Sequence, residues 1–209
     1  MEWFSTLSLA LGTAWTSGIN LYATVTVLGL LQKLGATGKL PGGLDALDSW
    51  WIIGVAGFLY IVEFFADKIP YVDSVWDVVH TFIRVPAGAV VAYTATTGSD
   101  PTLNIVATLL GGTLAFSSHG TKAAIRATAN ISPEPVSNWA LSLVEDVIAF
   151  VGSILAVFAP FIIAGVLIIF TLFFIWFFPK VYRAVKRIFI AIAALFRGEG
   201  FKEVARKAG

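Results

Sequence analysis

Apolar residues in this chain come in long blocks, cut by short polar stretches rich in glycine, proline and aspartate. Six blocks can be drawn, each near the ~20 residues that cross ~30 Å of hydrocarbon. They run from about Ser5 to Leu31, Trp50 to Phe65, Val72 to Tyr93, Thr102 to Thr128, Trp139 to Phe158 and Phe161 to Phe178. The last two form one run that carries no charge from Val147 to Pro179. It is too long for a single crossing and is divided here at "APFIIAG". The connections "GATGKLPGGLDALDS", "TTGSDP" and "NISPEPVSN" carry turn residues. Beyond Pro179, "KVYRAVKRIFIAIAALFR" sets basic residues on one side and Val181, Val185, Ile188, Phe189 and Ile192 on another. That pattern predicts an amphipathic helix lying along the headgroups, followed by a mobile tail, "GEGFKEVARKAG".

Composition supports the same class. The chain has 209 residues, 57% apolar and only 13% charged, with a mean hydropathy of +0.84. A soluble domain of this length carries about 25% charged residues. The expected fold is therefore an all-α polytopic membrane protein with about six transmembrane helices in residues 1–179. Residues 180–209 form a basic amphipathic helix and cytoplasmic tail. "MEWFSTLSLALG" has an acid where a signal peptide would carry basic residues, so the first block is read as part of the mature protein.

The net charge of +1 hides an asymmetry: from Lys180 onward, eight basic residues face only Glu199 and Glu203. Such a cluster belongs in the cytoplasm and meets anionic lipid rather than nucleic acid. Six crossings then put the amino terminus in the cytoplasm as well. Without cysteine, disulfides, thiolate metal sites and cysteine nucleophiles are excluded. The seven tryptophans fall mostly near span ends, as an interfacial belt requires.

Two short matches recur in order. "TSGIN", at Thr16–Asn20 inside the first block, resembles "SHGTK" in the fourth, and "LYIVE" ending at Glu63 resembles "LSLVE" ending at Glu145. Three spans per copy would make residues 5–97 and 102–179 inverted repeats with broken helices, an arrangement common in transporters. Gly18 and Gly120 are the candidate helix breaks. Chance similarity between apolar stretches, and close helix packing at the glycines, are the competing explanations.

Ionisable groups inside spans are expensive and face protein or water rather than lipid, so their spacing is informative. Asp73, Asp77, His80 and Arg84 lie four, three and four apart, on one helical face. His119, Lys122, Arg126 and Asn130 make a second, basic stripe. Glu63 and Asp67, followed by Lys68, form an acidic pair, and Asn138, Ser142 and Glu145 with Asp146 a third stripe. Facing one another across a protein-lined interior, these stripes are tolerable. They then either lock the bundle as buried ion pairs or line a hydrated path together with Asn20. The Asp77–His80 spacing is compatible with a metal, but with no second such pair a hydrogen-bonded histidine is expected, and no cofactor is implied. No phosphate loop, nucleophile elbow or nucleic-acid motif is present.

Three stretches, "SGINLYATVTVLGL", "VEFFADKIPYVDSVWDVVHTFIR" and "HGTKAAIRATANISPEPVSNWALSLVED", together resemble an uncharacterised bacterial integral-membrane family catalogued as domain of unknown function 4126. They cover most of residues 16 to 146. The resemblance implies a small multi-pass protein of the bacterial inner (cytoplasmic) membrane and supplies no activity, substrate or cofactor. The charges therefore carry the functional expectation: a small channel or secondary transporter for an ion or small polar solute. Asn20, Glu63, Asp67, Lys68, Asp73, Asp77, His80 and Arg84 would line one half of the path, and His119, Lys122, Arg126, Asn130, Glu145 and Asp146 the other. The alternatives are a structural or partner-binding membrane protein held by the same ion pairs and, more weakly, a membrane enzyme acting on a lipid-linked substrate through Asp77, His80 and Glu145. A bundle this small also leaves room for a homo-oligomer to complete a pore.

Overall fold

The computed structural model describes residues 2–69, 71–130 and 135–196, and all regular structure among them is helical. The helices are α1 (Glu2–Lys33), α2 (Trp50–Ala66), α3 (Val72–Ala95), α4 (Pro101–Ala129), α5 (Pro135–Phe158) and α6 (Pro160–Phe196), with a short 3-10 helix, Gly42–Asp48, before α2. Each apolar block has become one helix. Arg197, the expected tail, 198–209, and the centre of the "NISPEPVSN" connection lie outside the described residues. By contact, the chain divides into two compact units, residues 1–168 and 169–209.

The boundaries follow from local chemistry. The Asp100 carboxylate accepts from the Thr102 and Leu103 amides at 2.8 and 3.3 Å, with Pro101 in the first turn of α4. These hydrogen bonds hold its carboxyl below the usual aspartate range. Only Ala159 separates α5 from α6, which Pro160 opens. Pro179 does not end the last helix as expected: α6 continues through it for 37 residues in all. One lost backbone hydrogen bond and a ring clash cost roughly 3 kcal/mol, and ending a helix in an apolar medium exposes several more polar groups than that.

Among the described residues, four helices (α1, α3, α5 and α6) are long and apolar enough to cross a membrane, or up to five if the 3-10 helix and α2, bent by 77°, count as one span. The exposure pattern is inverted relative to a soluble protein. Arg84 and Arg126 are 0% exposed, whereas Phe82 is 79% and Trp51 84% exposed. Burying guanidinium groups while presenting aromatic rings outward is stable only against lipid, so this is a membrane protein.

The path of α1 departs from the expected first crossing. At Asn20 the backbone leaves the helical region (φ −148°, ψ 100°). The Asn20 side chain accepts from the Ala23 amide at 2.9 Å, capping the second half of α1 as it would a new helix. The first half runs antiparallel to α5: Gly12 sits against Ala156, Thr16 meets Ser153 at 3.3 Å, and Asn20 meets Asp146 at 3.1 Å.

The second half then returns. Gly29 packs against Ile53, and Lys33 lies over the Trp50 ring, 5.6 Å from its centroid. Gln32 binds the Leu40 amide and the Asp45 carbonyl at 2.9 and 2.8 Å. Between those two residues, Gly42 abuts Thr94 and Ala95 at the end of α3. A cavity of about 490 Å³ is lined both by Glu2 and Leu9 of the first half of α1 and by Lys39 and Pro41 of the loop that follows its second half. α1 thus folds back on itself as a hairpin with its tip at Asn20. We call the side holding its ends, the α3–α4 turn and the α5–α6 turn the near side. The α2–α3 turn and the start of α5 mark the far side.

This path bears on the inverted-repeat expectation. Ser118 Oγ donates to the Trp15 carbonyl at 2.8 Å and Lys122 Nζ to the Ile19 carbonyl at 3.3 Å. The "TSGIN" and "SHGTK" stretches therefore run in the same direction, not opposite ones. Towards the near side, α1, α3 and α4 meet through small residues. A Cβ on Gly88 would strike Ala115, and one on Gly111 would strike Ala92, so backbones approach closely and seal that half.

Candidate functional site: a buried ladder of charges

The site begins where α1 turns. Below the Asn20 tip, the charged faces of α2, α3, α4 and α5 converge. The spacing on α3 and α4 dictates this: residues three and four apart stack on one face, and the two helices are antiparallel. Asp73 thus meets Asn130 (2.9 Å) at the far end, and Arg84 meets His119 (3.2 Å) near the tip. From Asp73 to Arg84 the ladder spans eleven residues of helix, about 16 Å.

Three cations organise it. Arg84 pairs with Glu63 at 2.5 Å and with Asp77 at 3.5 Å. Lys122 sits at the centre, 2.9 Å from Asp67, 3.4 Å from both Glu63 and Glu145, and 3.8 Å from Asp77. Arg126 grips Glu145 through Nε and Nη2, and lies 3.1 Å from Asp67 and 3.5 Å from Asp73. A fourth cation, Lys68, donates to the Phe64 carbonyl at 2.9 Å and to Ser142 at 3.1 Å. Its ammonium also rests over the Phe64 ring. The side chains of Arg84, Arg126, Glu63 and Asp73 have no exposure, whereas Glu145 retains 12%. A neutral network joins the far end, with Asn138 donating to Asn130 and Asn130 to Asp73 and Ser74.

Both histidines are held by hydrogen bonds rather than by metal-like geometry. His119 Nδ1 faces the Arg84 guanidinium and so accepts. Nε2–H is left to donate to the Asp77 carbonyl at 3.0 Å and to Thr81 at 2.8 Å. His80 stacks on Trp76, donates from Nδ1 to the Trp76 carbonyl at 2.8 Å and accepts from the Tyr22 hydroxyl at 3.1 Å. These partners assign each ring a neutral tautomer. Among the described residues, no three histidine or acidic side chains are arranged to hold a metal ion.

Of the residues singled out from sequence, Asn20, Glu63, Asp67, Lys68, Asp73, Asp77, Arg84, His119, Lys122, Arg126, Asn130, Glu145 and Asp146 come together. His80 is turned aside to Tyr22 and Trp76. The two candidate breaks part company with expectation. Gly18 is helical and exists for close approach, since a Cβ there would strike Ser118 and the Ala115 backbone. The break falls two residues later, where Asn20 can cap. α4 runs helical through Gly120, which touches nothing that a Cβ would meet. Tyr60, Thr81 and the Ile19 carbonyl also belong to the site. Thr81 was recoverable from its place one turn after Asp77; the others depend on tertiary contacts.

A family model described as "Domain of unknown function (DUF4126)" matches residues 7–180, extending the sequence resemblance in both directions. No curated protein matches the chain, and no solved structure does.

Proposed function

Because the chain belongs to the DUF4126 family, whose description names no activity, we propose from the geometry that it is a small channel or secondary transporter for an ion or small polar solute. One observation carries this reading: the buried ladder leads from the far side to the tip of a re-entrant hairpin. Irregular backbone at membrane depth is tolerated only where it is buried in protein or lines a cavity. Here the tip presents Asn20 and the Ile19 carbonyl to the charges. The ladder is one half of the path, the Asn20 tip its gate, and the small-residue contact of α1, α3 and α4 closes the other half in this conformation.

In the proposed topology α1 re-enters and α2 to α6 cross, in the bacterial inner membrane. The basic stretch Lys180, Arg183, Lys186 and Arg187, all exposed, sits in the cytoplasm against anionic headgroups. An odd number of crossings then puts the amino terminus outside, opposite to what six crossings imply.

Flux of candidate ions into vesicles reconstituted with purified protein tests the reading. Glu63→Gln and Lys122→Gln are expected to bring flux to background, and undiminished flux in both would remove these assignments. A second reading, an ion-paired structural bundle, is favoured by one observation: Arg84, Lys122 and Arg126 each already hold carboxylate partners. It expects Lys122→Glu combined with Glu145→Lys to restore folding lost in either single change, with no flux in any variant.

A further inference from the structure

The conduit reading says where a solute passes; the charge balance of the ladder says which ion it holds. Six carboxylates (Glu63, Asp67, Asp73, Asp77, Glu145 and Asp146) face four cations (Lys68, Arg84, Lys122 and Arg126), and all but the partly exposed Glu145 are buried. Two negative charges are therefore in surplus inside a membrane protein, where uncompensated charge is costly, and a bound proton removes one of them. We propose that Asp77 is the ladder's proton-binding group and holds an exchangeable proton taken from water on the far side. This deepens the conduit reading by naming the ion, although the site itself would stand without transport.

The partners single out Asp77. The closest ion-pair contacts of Arg84, Lys122 and Arg126 go to Glu63, Asp67 and Glu145. Asp73 receives two hydrogen bonds from Asn130 and one from the Ser74 amide. Asp146 accepts from Asn20 and lies in the field of Lys68. Asp77 is only 2% exposed, yet neither of its carboxylate oxygens receives a hydrogen bond. Its nearest cations stand off at 3.5 and 3.8 Å. Glu63 Oε2, Asp67 Oδ1 and Asp146 Oδ2 are likewise without a donor, but Asp77 is the ladder carboxylate left without one on both oxygens. A buried carboxylate without a donor is unstable, whereas a carboxylic acid supplies its own.

The groups facing Asp77 are known from each packed element. On α3 it has Arg84; on α2, Asp67, with Glu63 across the shared Arg84 and Lys122; on α4, Lys122, Arg126 and His119, which binds its carbonyl. On α5 it has Glu145 across Lys122; α1 contributes the Ile19 carbonyl, also through Lys122. A carboxyl with no donor on either oxygen is the group here that a proton suits, because protonation removes the charge and supplies the missing hydrogen. In the binding step, an O–H bond forms on an Asp77 oxygen as a hydronium becomes water. Glu145, whose side chain is 12% exposed, is the most exposed carboxylate of the ladder.

Infrared difference spectroscopy of the full chain in lipid nanodiscs, titrated with pH, reads the site directly. The expected result is a protonated-carboxyl C=O band that bleaches on alkalinisation. It should be missing from Asp77→Asn, which mimics the protonated form and should keep the fold, and displaced in Asp77→Glu. An unchanged band in Asp77→Asn, or no such band in the wild type at any pH, overturns the proposal. So does bleaching by sodium at constant pH. Proton flux into vesicles loaded with a pH dye reports separately: a normal band without flux keeps the proton site and removes the conduit.

Discussion

Lys122 shows how a single residue is made tolerable at membrane depth. Its ammonium is shared among Asp67, Glu63 and Glu145 and also reaches the Ile19 carbonyl. Removing one partner of a buried pair strands the other, typically for 3–5 kcal/mol. Lys122→Met is therefore expected to lower thermal stability in detergent by about that amount, and a companion Asp67→Asn should recover part of it in a double-mutant cycle. Gly18 and Gly120 offer a second contrast. Gly18→Ala forces a methyl into Ser118 and the Ala115 backbone and should cost about 1–3 kcal/mol by overpacking. Gly120→Ala meets nothing and should be neutral or stabilise by up to about 1 kcal/mol through helix propensity. Equal melting shifts for the two would contradict the packing role of Gly18.

At the scale of elements, caps decide where helices begin and break. Asn20 ends one half of α1 and caps the next, so Asn20→Ala should lose about 1 kcal/mol and should also disturb flux, because the same amide binds Asp146. Asp100 at the start of α4 is fully exposed and behaves differently. Its carboxyl is held below the usual range by the Thr102 and Leu103 amides. The stabilisation is present above the ordinary aspartate pKa and fades as pH falls through the depressed value. The melting difference between wild type and Asp100→Ala should therefore be constant near neutrality and vanish in acid. A difference that grew in acid would reverse the assigned sign.

For the whole molecule, the decisive feature is that α1 turns back. Single cysteines introduced into this cysteine-free chain at Glu2, Gly38 and Ser99 should react with an impermeant reagent from one side of sealed vesicles. Cysteines at Tyr71 and Val136 should react from the other. Labelling of Glu2 and Gly38 from opposite sides would mean that α1 crosses. The basic end of α6 supplies the orientation, and its contact with anionic lipid is measurable by flotation with vesicles containing or lacking phosphatidylglycerol.

By itself the sequence determined that the chain is helical, where the apolar helices lie and which faces carry charge. Hydrophobic runs, proline and glycine punctuation and three-four spacing act locally, so residues near one another in the chain are enough to reveal them. The split at Ala159 and the stripe from Asp73 to Arg84 were legible for that reason. Tertiary structure alone decided that α1 returns, because "TSGIN" reads equally as a kink inside a crossing or as a tip. Only the contacts of Gly29, Gln32 and Gly42 distinguish the two. It likewise decided which carboxylate lacks a partner. Composition counts acids and bases, but charge compensation inside a membrane is settled by ångström-scale distances between helices far apart in the chain.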